Sequence, residues 1–154
     1  MGKSLISGIM QRVNLEALMV LSIGEAGASG QMFRKLAENR INLEFISRVP
    51  HKNGNSSVVI CVDSKDASAA IAVLEEVKPV LKALDILPLA RAGILSIFPH
   101  REHAVIISII IQTLSTAKIP LFAMGSSISA ISCVIAEGKM AEALKLLSRQ
   151  FGLS

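Results

Sequence analysis

Glu16-Ala-Leu-Met-Val-Leu-Ser-Ile23 and Gly93-Ile-Leu-Ser-Ile-Phe98 decide the fold, because each opens a segment with the same order of elements. Leu21-Ser22-Ile23 aligns with Leu95-Ser96-Ile97, Leu36 with Leu114, Ile41 with Ile119 and Leu74 with Leu147, a drifting offset of roughly 73 to 78 residues. Each opening strand runs through a short loop into a helix, over Ser29 to Arg40 and over Ala104 to Lys118. Strand pairs follow: Ile41 to Val49 with Ser57 to Val62, and Ile119 to Gly125 with Ser129 to Ile135. The first pair is joined by Pro50-His-Lys-Asn-Gly-Asn55, in which Asn53-Gly54 is a strong hairpin signal. A helix closes each unit, Asp66 to Leu84 and Lys139 to Gln150, with apolar residues at helical spacing.

The repeat is therefore strand, helix, strand, strand, helix, and the first copy gains a strand at Ala83 to Leu89. The expected fold class is α+β, two ferredoxin-like βαββαβ units. The second copy ends at Phe151-Gly-Leu-Ser154 without a fourth strand, while Ser4 to Gln11 is a strand without a place in the first. That spare strand is expected to complete the second unit. The first unit then covers 13–90, and the second is discontinuous, 1–12 with 91–154. Val105-Ile-Ile-Ser-Ile-Ile-Ile111 has strand propensity, yet its repeat position makes it helix. Being apolar nearly all round, this helix should be buried on both sides, against another helix or another subunit. Units of about 70 residues seldom stabilise themselves alone, so pairing and dimerisation are expected.

Composition narrows the function classes. Of 154 residues, 51% are hydrophobic and 18% charged, enough apolar surface for a sizeable core. The apolar run Ala104 to Ile111 is far short of the ~20 residues that span a bilayer, and no signal-peptide pattern opens the chain. A cytoplasmic location and no membrane partner are expected. Net charge is +4 with a pI near 9.3, but the basic residues are scattered. With no Trp or Tyr to stack bases, nucleic acid is not an expected partner. Cys61 and Cys133 lie in apolar strands and read as buried thiols. His100, Glu102 and His103 lack metal-site spacing, and Glu75-Glu76 reads as a solvated helix face. No phosphate-binding G-x-x-x-x-G-K pattern occurs. Catalytic residues, metals and cofactors are not expected.

Leu5-Ile-Ser-Gly-Ile9, Ala37-Glu-Asn-Arg-Ile-Asn-Leu-Glu44, and Ser126-Ser-Ile-Ser-Ala-Ile-Ser-Cys-Val-Ile135 followed by Glu142 to Gly152 resemble the tandem ACT domains of the C-terminal regulatory region of aspartokinases. That region is also made as a separate small subunit of about this size. The resemblance implies a non-catalytic, homodimeric regulatory protein. It would bind a small amino acid (lysine, threonine or another) and control an amino-acid biosynthetic enzyme such as an aspartokinase catalytic chain. The alternative is a dimerisation or interaction subunit without effector binding.

ACT units bind ligands at the loop between first strand and first helix, which here reads Ile23-Gly24-Glu25-Ala26-Gly27-Ala28-Ser29. Its glycines admit close backbone approach, and the N–H groups at a helix start suit a carboxylate; the same glycines also serve a tight turn. Asn42 and Glu44 are candidate acceptors for the ligand's ammonium. Arg48 stands where the family often has Gln, a donor-only cation that favours an anionic or neutral effector. In the second unit the loop Pro99-His-Arg-Glu-His-Ala104 has no glycine, and Ser126 and Ser127 are the candidate contributors there, across a dimer interface.

Overall fold

The computed structural model describes residues 5–24 and 27–153. In chain order the elements are β1 (Ile6–Ile23), α1 (Ala28–Glu38), β2 (Leu43–Pro50), β3 (Ser56–Asp63), α2 (Ala67–Leu81), β4 (Asp85–Pro99), α3 (His103–Thr116), β5 (Leu121–Ser126), β6 (Ile131–Ala136) and α4 (Met140–Gln150). Single 3-10 turns, Ser64–Asp66 and Glu137–Lys139, lead into α2 and α4.

The repeat is present, with two pairs of expected strands each merged into one. The sequence reads Ser4 to Gln11 and Glu16 to Ile23 as two strands, whereas β1 runs unbroken over 18 residues from Ile6; Ser4 lies outside the described residues. Likewise Ala83 to Leu89 and Gly93 to Phe98 merge into the 15-residue β4. Arg12-Val13-Asn14 interrupts the hydrophobic pattern but does not divide the strand. Asn14 takes φ 64, a conformation asparagine tolerates better than most side chains, and its Oδ1 accepts from Arg91 Nη2 at 3.1 Å.

The chain divides into two compact units, Asn14–Arg91 and the discontinuous Met1–Val13 with Ala92–Ser154. In the first, the strand order is β2-β3-β1-β4; in the second it is β5-β6-β4-β1. Both are the ferredoxin-like order, and in the second unit the start of β1 supplies the fourth strand. β3 pairs antiparallel with both β1 and β2, and β6 with both β4 and β5.

Each unit has its own core. Leu18, Val20, Met32, Leu36, Ile60, Leu74 and Leu81 are central to the first; Ile6, Leu95, Ile97, Ile106, Ile110 and Leu147 to the second. On α1, Ala28, Met32 and Leu36 form one buried stripe at i, i+4, i+8. On α3, Ile106, Ile110 and Leu114 do the same. The isoleucine-rich segment is thus helical despite its strand propensity, because the helix places three large side chains on the sheet at once. The expectation that it would be buried on both sides is not met within the unit: Val105 and Ile111 are each 47% exposed. Left-handed residues end the helices: Arg40, Lys82, Lys118 and Gly152 all have positive φ. Three of these four are cations, which the carbonyl end of a helix favours.

Candidate functional site

The last residues of β1 are built as a bulge. The register of β1 on β3 shifts between Val20 and Ile23, and within that shift Ser22 adopts φ 55. The left-handed conformation is unfavourable for a serine, and two side chains of the β2–β3 hairpin hold it. Ser22 N–H donates to Ser57 Oγ at 3.0 Å, and Asn55 Nδ2 donates to Ser22 Oγ at 3.0 Å. His51 Nε2 lies 2.8 Å from the same Ser57 oxygen. The hairpin itself is closed by Gly54 at φ 87, with His51 N–H donating to Asn55 O at 2.7 Å and Gly54 N–H to His51 O at 3.1 Å.

On the other flank, the connection from α2 to β4 holds the chain as it leaves the sheet. Leu84 N–H donates to Leu21 O at 2.9 Å, and Gly24 N–H donates to Leu81 O at 3.0 Å. A Cβ on Gly24 would stand 3.2 Å from Lys82 Cβ and from the Lys82 carbonyl oxygen, so a residue without a side chain suits this crossing.

Ile23 is buried at the end of β1 and Gly24 is exposed; Glu25 and Ala26 lie outside the described residues. Gly27 caps α1 with φ −78 and ψ −17 and offers no side-chain acceptor. Gly27 itself thus has no side chain with which to cap the first N–H groups of α1. Ala28 and Ser29, in the first turn, are buried. The start of a helix presents backbone N–H donors, the kind of group that suits a carboxylate.

The structure separates the remaining candidates. Arg48 is exposed on β2, opposite Val58 and so two residues of β3 from Ser56, the partner of Ile23. It lies at the loop's end of the sheet. Asn42 and Glu44 do not. Leu43 pairs with Val62, six residues of β3 from Ser56, which at about 3.3 Å per residue is roughly 20 Å away. Strand direction is the reason: β1 and β2 both run antiparallel to β3, so the start of β2 is remote from the end of β1. Asn42 Nδ2 instead donates to Glu44 Oε1 at 3.2 Å.

Ser126 and Ser127 follow the same plan in the other unit. Ser126 ends β5, and the Ser127 carbonyl oxygen is 3.1 Å from His103 Nε2 at the start of α3. Ser127 also closes its own turn, its N–H donating to Ala130 O at 2.8 Å. Here the helix cap is Glu102 at φ 57, a residue with a side chain where α1 has Gly27.

His51, Asn55, Ser57 and Ser22 meet just before the loop, a cluster that sequence reasoning did not single out. Asn53-Gly54 flags the hairpin, but the bulge that turns Ser22 toward it leaves no signal in composition or periodicity. Burial pushes the Cys61 and Cys133 thiols up to about 12, where they are neutral and poor nucleophiles. Among the described residues, no group of three or more His, Cys, Asp or Glu converges on a metal-sized space, and no helix is long and apolar enough to cross a membrane. A groove of about 500 Å³ between α3 and α4, lined by Ile109, Thr113, Ala117, Glu142 and Leu146 among others, carries one carboxylate and no paired base or nucleophile.

No family model matches the sequence, and no curated protein matches it. Solved structures do match the fold. The crystal structure of aspartokinase alpha and beta subunits aligns at TM-score 0.86 and 21% identity, covering 96% of this chain and 99% of that one. The regulatory subunit of aspartate kinase from Thermus flavus aligns at TM-score 0.85 and 18% identity, again over 96% and 99%. Aspartate kinase from Synechocystis aligns at TM-score 0.86 and 18% identity over 98% of this chain and 28% of the other. The chain therefore shares, over nearly its whole length, the fold of these aspartokinase structures: a tandem pair of ferredoxin-like units.

Proposed function

We propose that the protein is a non-catalytic regulatory subunit or domain that binds a small amino acid at the β1–α1 loop of its first unit and so controls an aspartokinase-type catalytic chain. In this reading the ACT units are 13–90 and 1–12 with 91–154, and the active species is a homodimer. The observation that carries it is the start of α1. Gly27, which has no side chain with which to cap the helix, stands at its N-terminus, at the strand-to-helix position where ACT units take their ligand. The shared fold supports this. So does the chemistry of the loop, in which backbone donors meet the α-carboxylate.

Lysine is the first effector to test, because E. coli aspartokinase III, which aligns at TM-score 0.68 and 14% identity, was solved with lysine and aspartate. The exposed Arg48 beside the loop favours a neutral or acidic effector over lysine, so threonine and aspartate stand in the same panel. The decisive experiment is thermal unfolding against single L-amino acids. A ligand selective for the native state at a hundredfold its Kd adds about 2.7 kcal/mol. Gly27→Asp supplies both a cap and a repelling carboxylate, so it abolishes that shift while leaving the fold intact. No shift from any amino acid, together with co-purification of an aspartokinase chain, establishes instead an interaction subunit without effector binding. The second unit favours the latter for itself, since its loop 99–104 has no glycine and Glu102 stands where the first unit has Gly27.

A further inference from the structure

The loop between β2 and β3 contributes nothing to the ladder of β1, yet its Asn55, with Ser57 beside it and His51 behind, gathers on the one serine that turns the chain toward α1. Ser22 stands at φ 55 in the bulge. One residue on, Ile23 is back in register opposite Ser56, and Gly24 N–H is already committed to Leu81 O. The direction in which the backbone leaves the sheet is thus set at Ser22. A serine left to itself leaves the left-handed region, because its Cβ crowds the following carbonyl. Here both of its polar groups are engaged, the N–H by Ser57 Oγ and the hydroxyl by Asn55 Nδ2, each at 3.0 Å. Behind them His51 meets Ser57 Oγ at 2.8 Å. The side chains that fix the loop's exit therefore belong to a different loop.

We propose that Asn55 and Ser57 are positioning residues of the effector site: they clamp Ser22 in its left-handed conformation, hold the approach to α1 in its binding geometry, and make the β2–β3 hairpin a control on effector affinity. The proposal rests on the reading of the β1–α1 loop as the amino-acid site. It requires no contact between these side chains and the ligand. It also makes the hairpin, an exposed surface element, the place where a partner or a substitution changes affinity without entering the site.

The test uses the full chain with Asn55→Ala, Ser57→Ala and the pair, a conservative Ser57→Thr, and the pair combined with Ser22→Gly. Three quantities are read: the unfolding temperature, amide hydrogen exchange at Gly24 and Gly27 to Ser29 without ligand, and Kd for whichever amino acid stabilises the wild type. Loosening the clamp opens the Gly24 bond locally, so exchange there rises about tenfold in the pair, and Kd rises at least about fivefold, the equivalent of one lost hydrogen bond. Ser57→Thr keeps the hydroxyl and both wild-type values. Ser22→Gly restores most of the affinity to the pair, since glycine adopts φ 55 without a clamp; a purely structural role for the hairpin predicts no such rescue. Unchanged exchange at Gly24 overturns the positioning role, and raised exchange with unchanged Kd overturns the control of affinity. If no amino acid binds the wild type, the effector reading itself has failed, and the exchange data alone judge the clamp. Should the pair fail to fold, Asn55→Ala alone leaves the β1–β3 ladder untouched and carries the same comparisons.

Discussion

Gly93 and Met140 show how a single residue's absence of side chain is read from packing. A Cβ on Gly93 would stand 2.6 Å from Met140 Sδ and 2.8 Å from its Cγ and Cε. Those atoms belong to a flexible thioether, so Gly93→Ala displaces Met140 and costs about 1–2 kcal/mol, while the branched Gly93→Val costs more. Urea unfolding checks both, and Met140→Ala recovers part of the alanine variant's loss. The thiols of Cys61 and Cys133 make a second residue-scale prediction. Burial raises both to about 12 from an ordinary 9.0, so the folded protein keeps protons that the unfolded chain gives up. Their contribution to stability is fully present below about pH 9 and is lost as pH rises toward 12. The unfolding midpoint therefore falls between pH 9 and pH 11, and falls less in the Cys61→Ala/Cys133→Ala double variant. Neither thiol reacts with a disulfide reagent at pH 8 until the protein is unfolded.

At the scale of the element, α3 separates propensity from placement. Ile110 is fully buried in the core of its unit and Ile111, its neighbour, is 47% exposed. Ile110→Ala costs about 2–5 kcal/mol through lost burial and the cavity left behind; Ile111→Ala stays within about 0.5 kcal/mol. A comparable loss at both positions would mean that the helix is buried on two faces in the folded protein. The β2–β3 hairpin is the corresponding case for turn chemistry. Gly54 at φ 87 was legible from Asn53-Gly54, and Gly54→Ala costs about 1 kcal/mol because an alanine is strained there. Ser22 was not legible, since serine has no preference for the left-handed region and only the register shift against β3 puts it there.

For the molecule as a whole, the discontinuous unit carries the clearest prediction. Ile6 is buried in the core formed with Leu95, Ile97 and Ile106, and His100 N–H donates to Leu5 O at 3.0 Å. Deleting residues 1–12 removes the fourth strand of that unit. Amide exchange across β4 from Ala92 onward, α3, β5, β6 and α4 should accelerate by orders of magnitude, while β3 and α2 of the other unit keep slow amides. Uniform exchange in both units would show that they unfold only together.

Order of elements was present in the sequence from the start. The repeated pairs Leu21 with Leu95, Leu36 with Leu114 and Leu74 with Leu147 record which side chains must meet a sheet, and hydrophobic period alone turns that into strand, helix, strand, strand, helix. The shortage of a fourth strand in the second copy, with a surplus strand at the N-terminus, likewise determined the ferredoxin-like pairing. The glycine loop before α1 was legible because glycine has a direct conformational meaning. Which residues lie near that loop was decided by tertiary structure. Asn42 and Glu44 are near the loop in sequence but about 20 Å away along β3, because parallel placement of β1 and β2 sends their starts and ends to opposite edges. Asn55 and Ser57 are some thirty residues distant and touch Ser22 just before it, because strand register and one bulge bring the hairpin against that serine. Local patterns specify elements through burial; proximity between polar groups depends on strand direction and register, which exist only once the sheet has formed.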